Sequence, residues 1–578
     1  MRIESNDKAQ RLEFFKALYS CAENSYALHL EAFDRAMKQY KGSTEIDGSD
    51  EAAITVRNIT YEIVESQVSS AIPSPKVDAI SYSERRGRNA TSIERLCRSI
   101  RSRLPFDEMN DMDERYTYVY GGSVWYVDWE NSSEYMGEVG GVRIECLSPR
   151  DFIPQPGIYN VDDMEYCFLK FVTTRSELIR KYNVTSDETF LADFEYEYDG
   201  ESDVSDTVKL ITCFYRDEDG EIGRFIFSGD LTLSDLPKYY RRKRKLCLEC
   251  GEDAAVCRCK KKRLVTEDVP GEAVKIGSGD TERTVEIPYY LPKLFPIAVR
   301  KNTSAEKQLL GQSDCDFIRP EQQAINKVES RILKKLLRAG ITPIVPEDAS
   351  ISLNNSVFGQ VIKMKPGESA AQYGKVDTTP NISQDIAEAE RLYDHAKRVI
   401  GISDAFQGVD TGALAESGYA KQLRINQASG RLESKKKMKH VTYARIDRLI
   451  FGLYLAFADE PRRLTYKDAY GIVHETEFSK YDFIEFDPIQ GEYFFDDSYL
   501  FSVDLNSGNE YQRESLWQRN LENLKAGTLG DTSSPATLLR YWQCQERAHY
   551  PHARENVEYF TDLEGYEGGD VYDQAYDA

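Results

Sequence analysis

The sequence predicts a multidomain α+β protein, and three observations carry that prediction. The chain has 578 residues, more than one hydrophobic core ordinarily supports, so three or four packed regions are expected. Helical periodicity at the start and in the second half encloses a long section with the alternation of strands. Between about Ser313 and Glu460 a helix breaks into a short β-like insert. It then returns as a second helix and passes through a glycine-rich loop into a much longer helix.

From Ala9 to about Lys41 the apolar residues Leu12, Phe15, Leu18, Tyr19, Leu28, Leu30, Phe33 and Met37 recur at helical spacing. A Gly/Ser/Asp loop over 42–50 precedes a short helix at Asn58–Glu65, which Ile72-Pro73-Ser74-Pro75 closes into an extended exit. One further helix is expected over roughly 90–113. Strands then follow: Tyr116 to Val127 around Gly121-Gly122, a return at Gly140–Leu147, and a hairpin of Val208–Tyr215 with Arg224–Phe227 turned by Asp217–Gly220.

In the central run Pro320 suits a first helical turn, and Ile325, Val328, Ile332 and Leu336 form a stripe that ends at Gly340. Pro343, Pro346 and Pro366 exclude helix from a two- or three-strand insert. Helix resumes with Ser383 as N-cap and Ile386, Ala389, Tyr393, Ala396 and Ile400 on one side. Four glycines between Gly401 and Gly418 mark a specially bent loop. Tyr419–Asp459 then reads as one long helix, with candidate kinks at Gly430 or Gly452. Strands over 462–503, a helix pair over 510–548, and an acidic Tyr/Gly-rich tail complete the chain. From Glu555 onward that tail has eight acids and no Lys or Arg, so disorder is expected.

Composition limits the chemistry. The formal charge of −23 argues against a surface that grips nucleic acid everywhere, because phosphate binding needs cations. It suits solubility, or a passage that DNA crosses without sticking. No run has the apolar length of a membrane helix, and Met1-Arg2-Ile3-Glu4-Ser5 begins no signal-peptide pattern, so a cytoplasmic site of synthesis is expected.

Seven of the eleven cysteines are scattered singly. The other four, Cys247, Cys250, Cys257 and Cys259, form C-x2-C-x6-C-x-C, which can close a tetrahedral thiolate shell around structural Zn²⁺. A disulfide pair or free thiols are the alternatives. Basic runs flank this knuckle: Arg241, Arg242, Lys243, Arg244 and Lys245 before it, Lys260, Lys261, Lys262 and Arg263 after it. From Pro237 to Arg263 there are 11 basic and 3 acidic residues. The run suits an ion-paired contact with an acidic neighbouring subunit or capsid protein more than it suits contact with DNA.

No catalytic constellation accompanies these parts. The six histidines form no HExxH or triad pattern, and no P-loop occurs. Asp404, Asp410 and Glu416 invite a metal or acid–base reading, against which stands a solvated, flexible loop.

In their order, these pieces resemble the portal proteins of tailed bacteriophages. Gly311-Gln312-Ser313-Asp314 leads into the first central helix, and Ser417-Gly418-Tyr419-Ala420 opens the long one. Tyr118-Val119-Tyr120-Gly121-Gly122, followed by Val142-Arg143-Ile144-Glu145-Cys146-Leu147-Ser148-Pro149-Arg150-Asp151-Phe152, is similar to the family's wing. The resemblance covers about residues 50–550 and rests on the order of parts, since portals have no invariant catalytic motif. The cysteine knuckle departs from the family's general pattern.

The resemblance implies a wing over 1–312 with the knuckle at 237–265 inserted. Stem helices follow over 313–340 and 381–402, around a small β clip at 341–380. A tunnel loop at 403–418 leads into the long helix with wing return strands at 419–503, a helical crown at 504–554 and the tail at 555–578. It implies a non-enzymatic ring, a dodecamer, at one capsid vertex of the virion, assembled in the bacterial cytoplasm. Partners implied are the terminase large subunit, major capsid protein and scaffold, a head–tail connector, and double-stranded DNA in the channel. Asp404, Gln407, Asp410, Thr411 and Glu416 would line that channel. Asn354, Asn355, Lys363, Lys365 and Glu368 would dock the terminase or connector. Rival readings are a zinc-containing nucleic-acid-binding protein or nuclease, and another capsid component.

Overall fold

The computed structural model describes residues 7–42, 56–135, 138–182, 207–247, 264–276, 283–337, 344–346, 362–364, 381–402, 430–467, 473–504, 510–547 and most of 550–561, apart from a few single positions. It is a mixed helix-and-strand protein. Among the described residues no helix is long and apolar enough to cross a membrane.

Helix α1 (Lys8–Tyr40) starts where Asp7 accepts a hydrogen bond from the Ala9 amide at 3.2 Å. Its first half lies on a five-stranded antiparallel sheet in the order β4 (Phe152–Pro154), β5 (Tyr166–Thr174), β6 (Thr207–Arg216), β7 (Ile222–Ser228), β8 (Leu231–Leu236). There Phe15 stacks on Phe225 with ring centroids 4.3 Å apart, and Tyr19 meets Phe168 edge-on. Its second half reaches α4 (Phe106–Tyr120) through Phe33 against Tyr120.

A second sheet, β13 (Ile297–Lys301), β2 (Gly122–Tyr135), β3 (Glu138–Leu147), forms the centre of the main core. Trp125 is fully buried there between Phe106 and Tyr443. Tyr443 belongs to α8 (Gly430–Phe457), the long central helix of the fold. Helix α3 (Glu84–Arg103) and the pair β1 (Ser74–Ala79) with β20 (Tyr499–Asp504) pack against it.

The central helices appear as expected. α6 (Asp314–Leu337) and α7 (Ser383–Ile400) lie antiparallel, since Lys335 near the end of one reaches Asp385 at the start of the other, and Glu321 pairs with His395. Ile318, Ile325, Val328 and Ile332 face Ala389, Tyr393, Ala396 and Ile400. Of the insert between them, Ile344–Pro346 and Ile362–Met364 form a parallel pair, β14 and β15. The hairpin of β6 with β7, the return strand β3 and the last helix pair, α9 (Glu510–Lys525) and α10 (Pro535–Arg547), also match expectation.

Five expectations are corrected. The helix placed at 90–113 is two helices, α3 and α4, because Leu104 leaves helical geometry ahead of Pro105. Tyr116–Tyr120 is the end of α4 and not strand; its aromatic alternation hides a helical turn, which Gly121 stops in the left-handed region at φ 88°. Pro320 lies inside α6 and not at its start, since Ser313 Oγ accepts from the Cys315 amide (3.0 Å) and begins the helix earlier. Ser383 is the first residue of α7, not its cap, and Ile386 is exposed. Helical residues between Glu555 and Thr561 carry order into the acidic segment read as a tail.

Candidate functional site at a buried ionic junction

The place where the first central helix meets the end of α4 and the start of β2 is built by residues with very different jobs. Gly121, Gly122 and Gly311 let backbone touch backbone: a Cβ on Gly121 would lie 2.2 Å from the Gly311 carbonyl oxygen, and one on Gly311 2.5 Å from that of Thr303. Ser313 Oγ donates to the Val119 carbonyl at 2.5 Å, which ties the end of α4 to the beginning of α6. Asn302 Nδ2 donates to the Gln312 carbonyl (2.9 Å) and to Asp314 Oδ1 (2.8 Å). Gly311-Gln312-Ser313-Asp314 and Tyr120-Gly121-Gly122 are thus the two sides of a single contact.

Around that contact three carboxylates and three cations are sunk in the core. Arg300 Nη1 bonds Asp113 and lies 2.9 Å from Glu114 Oε1, with both partners and the arginine at most 1% exposed. Lys439 Nζ lies 2.8 Å from the same Glu114 oxygen and donates to the Ala71 carbonyl at 2.7 Å. Lys435 Nζ lies 2.6 Å from Asp314 Oδ2 and 3.0 Å from Gln67 Oε1. Asp113 also accepts from Trp125 Nε1 at 2.9 Å and from Ser123. Burial pushes the Glu114 carboxyl up, but Arg300 and Lys439 overcome it and hold it below the usual glutamate range. Burial lowers the Lys439 ammonium despite Glu114.

These groups reach one another because α8 presents a polar stripe inward. Lys435, Lys439, Tyr443 and Asp447 recur every fourth residue, so they stand above one another on a single face. Tyr443 donates to Asn110 Oδ1 at 3.0 Å, and Asp447 receives Arg101 Nη2 on both oxygens at 2.7 Å. From its first turns onward α8 is therefore fixed successively to α6, α4 and α3. The arrangement neutralises charge internally and holds helices in register.

Only a few of the remaining sequence-predicted site residues fall among the described residues. Cys247 is buried at the end of β9 (Lys243–Cys247); Cys250, Cys257 and Cys259 lie outside the described residues, so the knuckle does too. Among the described residues no group of His, Cys, Asp and Glu has the arrangement of a metal site. Arg241 is ion-paired with Glu221 and 3.6 Å from Asp268. Arg242 binds Asp459 and the Ala456 carbonyl and lies over the Tyr289 ring at 4.5 Å. Both are thereby committed within the chain, whereas Lys243 and Arg244 are exposed. Lys245 pairs with Thr266 in the β9–β10 ladder (β10, Leu264–Asp268), and Lys363 with Val345 in β15.

Lys260, Lys261, Lys262 and Arg263 lie outside the described residues, as do Asn354, Asn355, Lys365 and Glu368. The same holds for the loop residues Asp404, Gln407, Asp410, Thr411 and Glu416. Sequence reasoning missed the junction itself. Lys435 and Lys439 sit in the run Ser434-Lys435-Lys436-Lys437-Met438-Lys439, which looks like a solvated charge cluster; only their spacing of four pointed inward.

Comparison with protein-family models matches none to this chain, and comparison with curated proteins likewise gives no match.

Proposed function

We propose that this chain is the portal subunit of a tailed bacteriophage, forming a ring through which DNA enters and leaves the capsid. The observation that carries the reading is the connectivity around α8. An antiparallel two-helix hairpin, α6 and α7, interrupted by a short β insert, leads through residues 403–429 into a long helix rooted in an α+β body. A motor-docked channel needs a protruding hairpin, a segment that reaches the substrate, and a rigid base that resists pulling. The buried junction supplies the last of these, since breaking a paired charge in the core costs several kcal/mol. The negative charge of −23 suits a passage that DNA does not adhere to. Within this reading the clip at 341–380 meets the terminase and connector, and the loop acids at 404–416 face DNA. A structural zinc in the cysteine knuckle is a peripheral elaboration.

The test is particle mass and electron microscopy of the purified chain, with zinc content measured alongside. A ring with a central hole of duplex width is expected. A stable monomer with nuclease activity overturns the portal reading in favour of the nucleic-acid enzyme. Lysine at both Asp404 and Asp410 should impair DNA packaging in an infection assay; unchanged packaging removes the channel role of that loop.

A further inference from the structure

Helix α3 carries seven arginines and no lysine, against two glutamates, in a chain of −23. Four of the seven are committed within the fold. Arg101 is buried on Asp447 and Arg86 pairs with Glu485. Arg85 donates to the Asp482 and Ile484 carbonyls, and Arg103 to that of Arg463. Arg88, Arg95 and Arg98 stand in different surroundings.

Their spacing of seven and then three residues sets them on one side of the helix, turned away from the buried Ile93, Leu96, Cys97 and Ile100. Arg88 is exposed, and Arg95 and Arg98 are half-buried. Among the described residues Arg88 and Arg95 have no ion pair. Arg98 has Glu94 at 3.8 Å, and the other oxygen of that carboxylate accepts from the Val77 amide. Thr91 and Ser102 share this side but donate to carbonyls of their own helix, those of Gly87 and Ser99. Glu84, one turn ahead of Arg88, is the one carboxylate in line with the row. Three guanidinium groups are thus spread over about 15 Å of helix axis. Like charges three residues apart destabilise a helix, so the row is best satisfied by an anion from outside.

The character of the row selects that anion. Guanidinium offers a planar donor fork that meets phosphate in two bonds and keeps its charge at any working pH. A protein interface is centred on aromatic or aliphatic anchors, and α3 exposes no large apolar side chain. A phosphodiester backbone needs no such anchor. Arg88 and Arg95 lie about 10.5 Å apart along the axis, close to the roughly 12 Å across a B-form major groove. An A-form RNA duplex narrows that groove. We propose that the outer side of α3 binds the sugar–phosphate backbone of duplex DNA without reading its sequence.

The experiment follows fluorescence anisotropy of a short labelled DNA duplex titrated with the full chain between about 50 and 200 mM salt. The triple variant Arg88→Gln, Arg95→Gln, Arg98→Gln should bind about tenfold more weakly at the lower salt, and its salt slope should fall by about one unit per arginine. A control triple, Lys307→Gln, Arg391→Gln, Lys437→Gln, makes the same change in net charge at cations 67–73% exposed elsewhere. It should bind as the unaltered chain does, and both triples should keep the thermal unfolding curve in place. Arg88→Gln alone should remove about one unit of slope, and it carries the test if the triple unfolds early. Equal weakening by the two triples, or no binding by the unaltered chain at the lower salt, overturns the proposal. So does poly-glutamate that binds more tightly than the duplex and is lost in the arginine triple, because the surface then fits an acidic protein. Duplex RNA of the same sequence should bind more weakly; equal or tighter binding overturns the assignment to DNA. Particle mass plays no part in the readout, so the outcome is independent of the portal reading.

Discussion

Two regions of this molecule use the same residue types to opposite effect. At the junction, Arg300, Lys435 and Lys439 meet Asp113, Glu114 and Asp314 with almost no solvent. On the α6–α7 hairpin, Arg391 meets Glu388 at 2.6 Å with the side chains 67% and 40% exposed. Coulomb attraction is similar in form, but the reference state is not. An exposed pair that is broken returns two ions to water, whereas a buried one leaves a charge stranded in the core. The comparison shows why charge counts say little about stability, and why the hairpin has freedom to seek partners that the junction lacks.

The largest break should come from Arg300→Met. It removes the only cation on Asp113 among the described residues and leaves Glu114 with Lys439 alone, so about 3–5 kcal/mol of unfolding free energy should be lost in denaturant titration. Lys435→Met is expected to cost somewhat less, about 2–4 kcal/mol. Asp314 would keep its hydrogen bonds from Asn302 (2.8 Å) and Gln67 (2.9 Å). A result equal to that of Arg300→Met would show that α8, and not the carboxylate, is what the lysine secures.

Acid should weaken the junction. The folded Glu114 carboxyl is held below its ordinary range, so the unfolded chain takes up the proton first. Its contribution is complete above the unfolded value of about 4.3 and disappears as the pH falls through the lower folded value. Glu114→Gln should flatten this part of the stability–pH profile; an unaltered acid limb would place the titration elsewhere. The smallest effect belongs to Arg391→Ala, for which the unfolding midpoint at physiological salt should not move. A clear loss there would mean the hairpin surface is covered in the assembled protein.

How much of this was legible depended on whether local signals agreed. The β6–β7 hairpin could be read because strand alternation and the Asp217–Gly220 turn point the same way. The stripe Ile325, Val328, Ile332 could be read because helix period and burial agree. Leu104-Pro105 was overlooked as a break because periodicity continues across it. The inward face of α8 was illegible for a deeper reason. Lys435 and Lys439 announce solvent unless their partners are known, and those partners, Asp314 and Glu114, come from segments more than a hundred residues away. Hydropathy records each residue's cost in isolation; pairing is what cancels that cost.

The glycine contact has one more consequence. Where Gly121 meets Gly311, two stretches of main chain rest on each other with no side chain between them. Side chains are the compliant material of a protein, since rotamers yield before bonds do. A joint without them behaves like a bearing with no cushion, so a tilt of α6 should be handed to β2 undamped. Gly121→Ala would act there as a wedge, felt first as a change in the angle between hairpin and sheet.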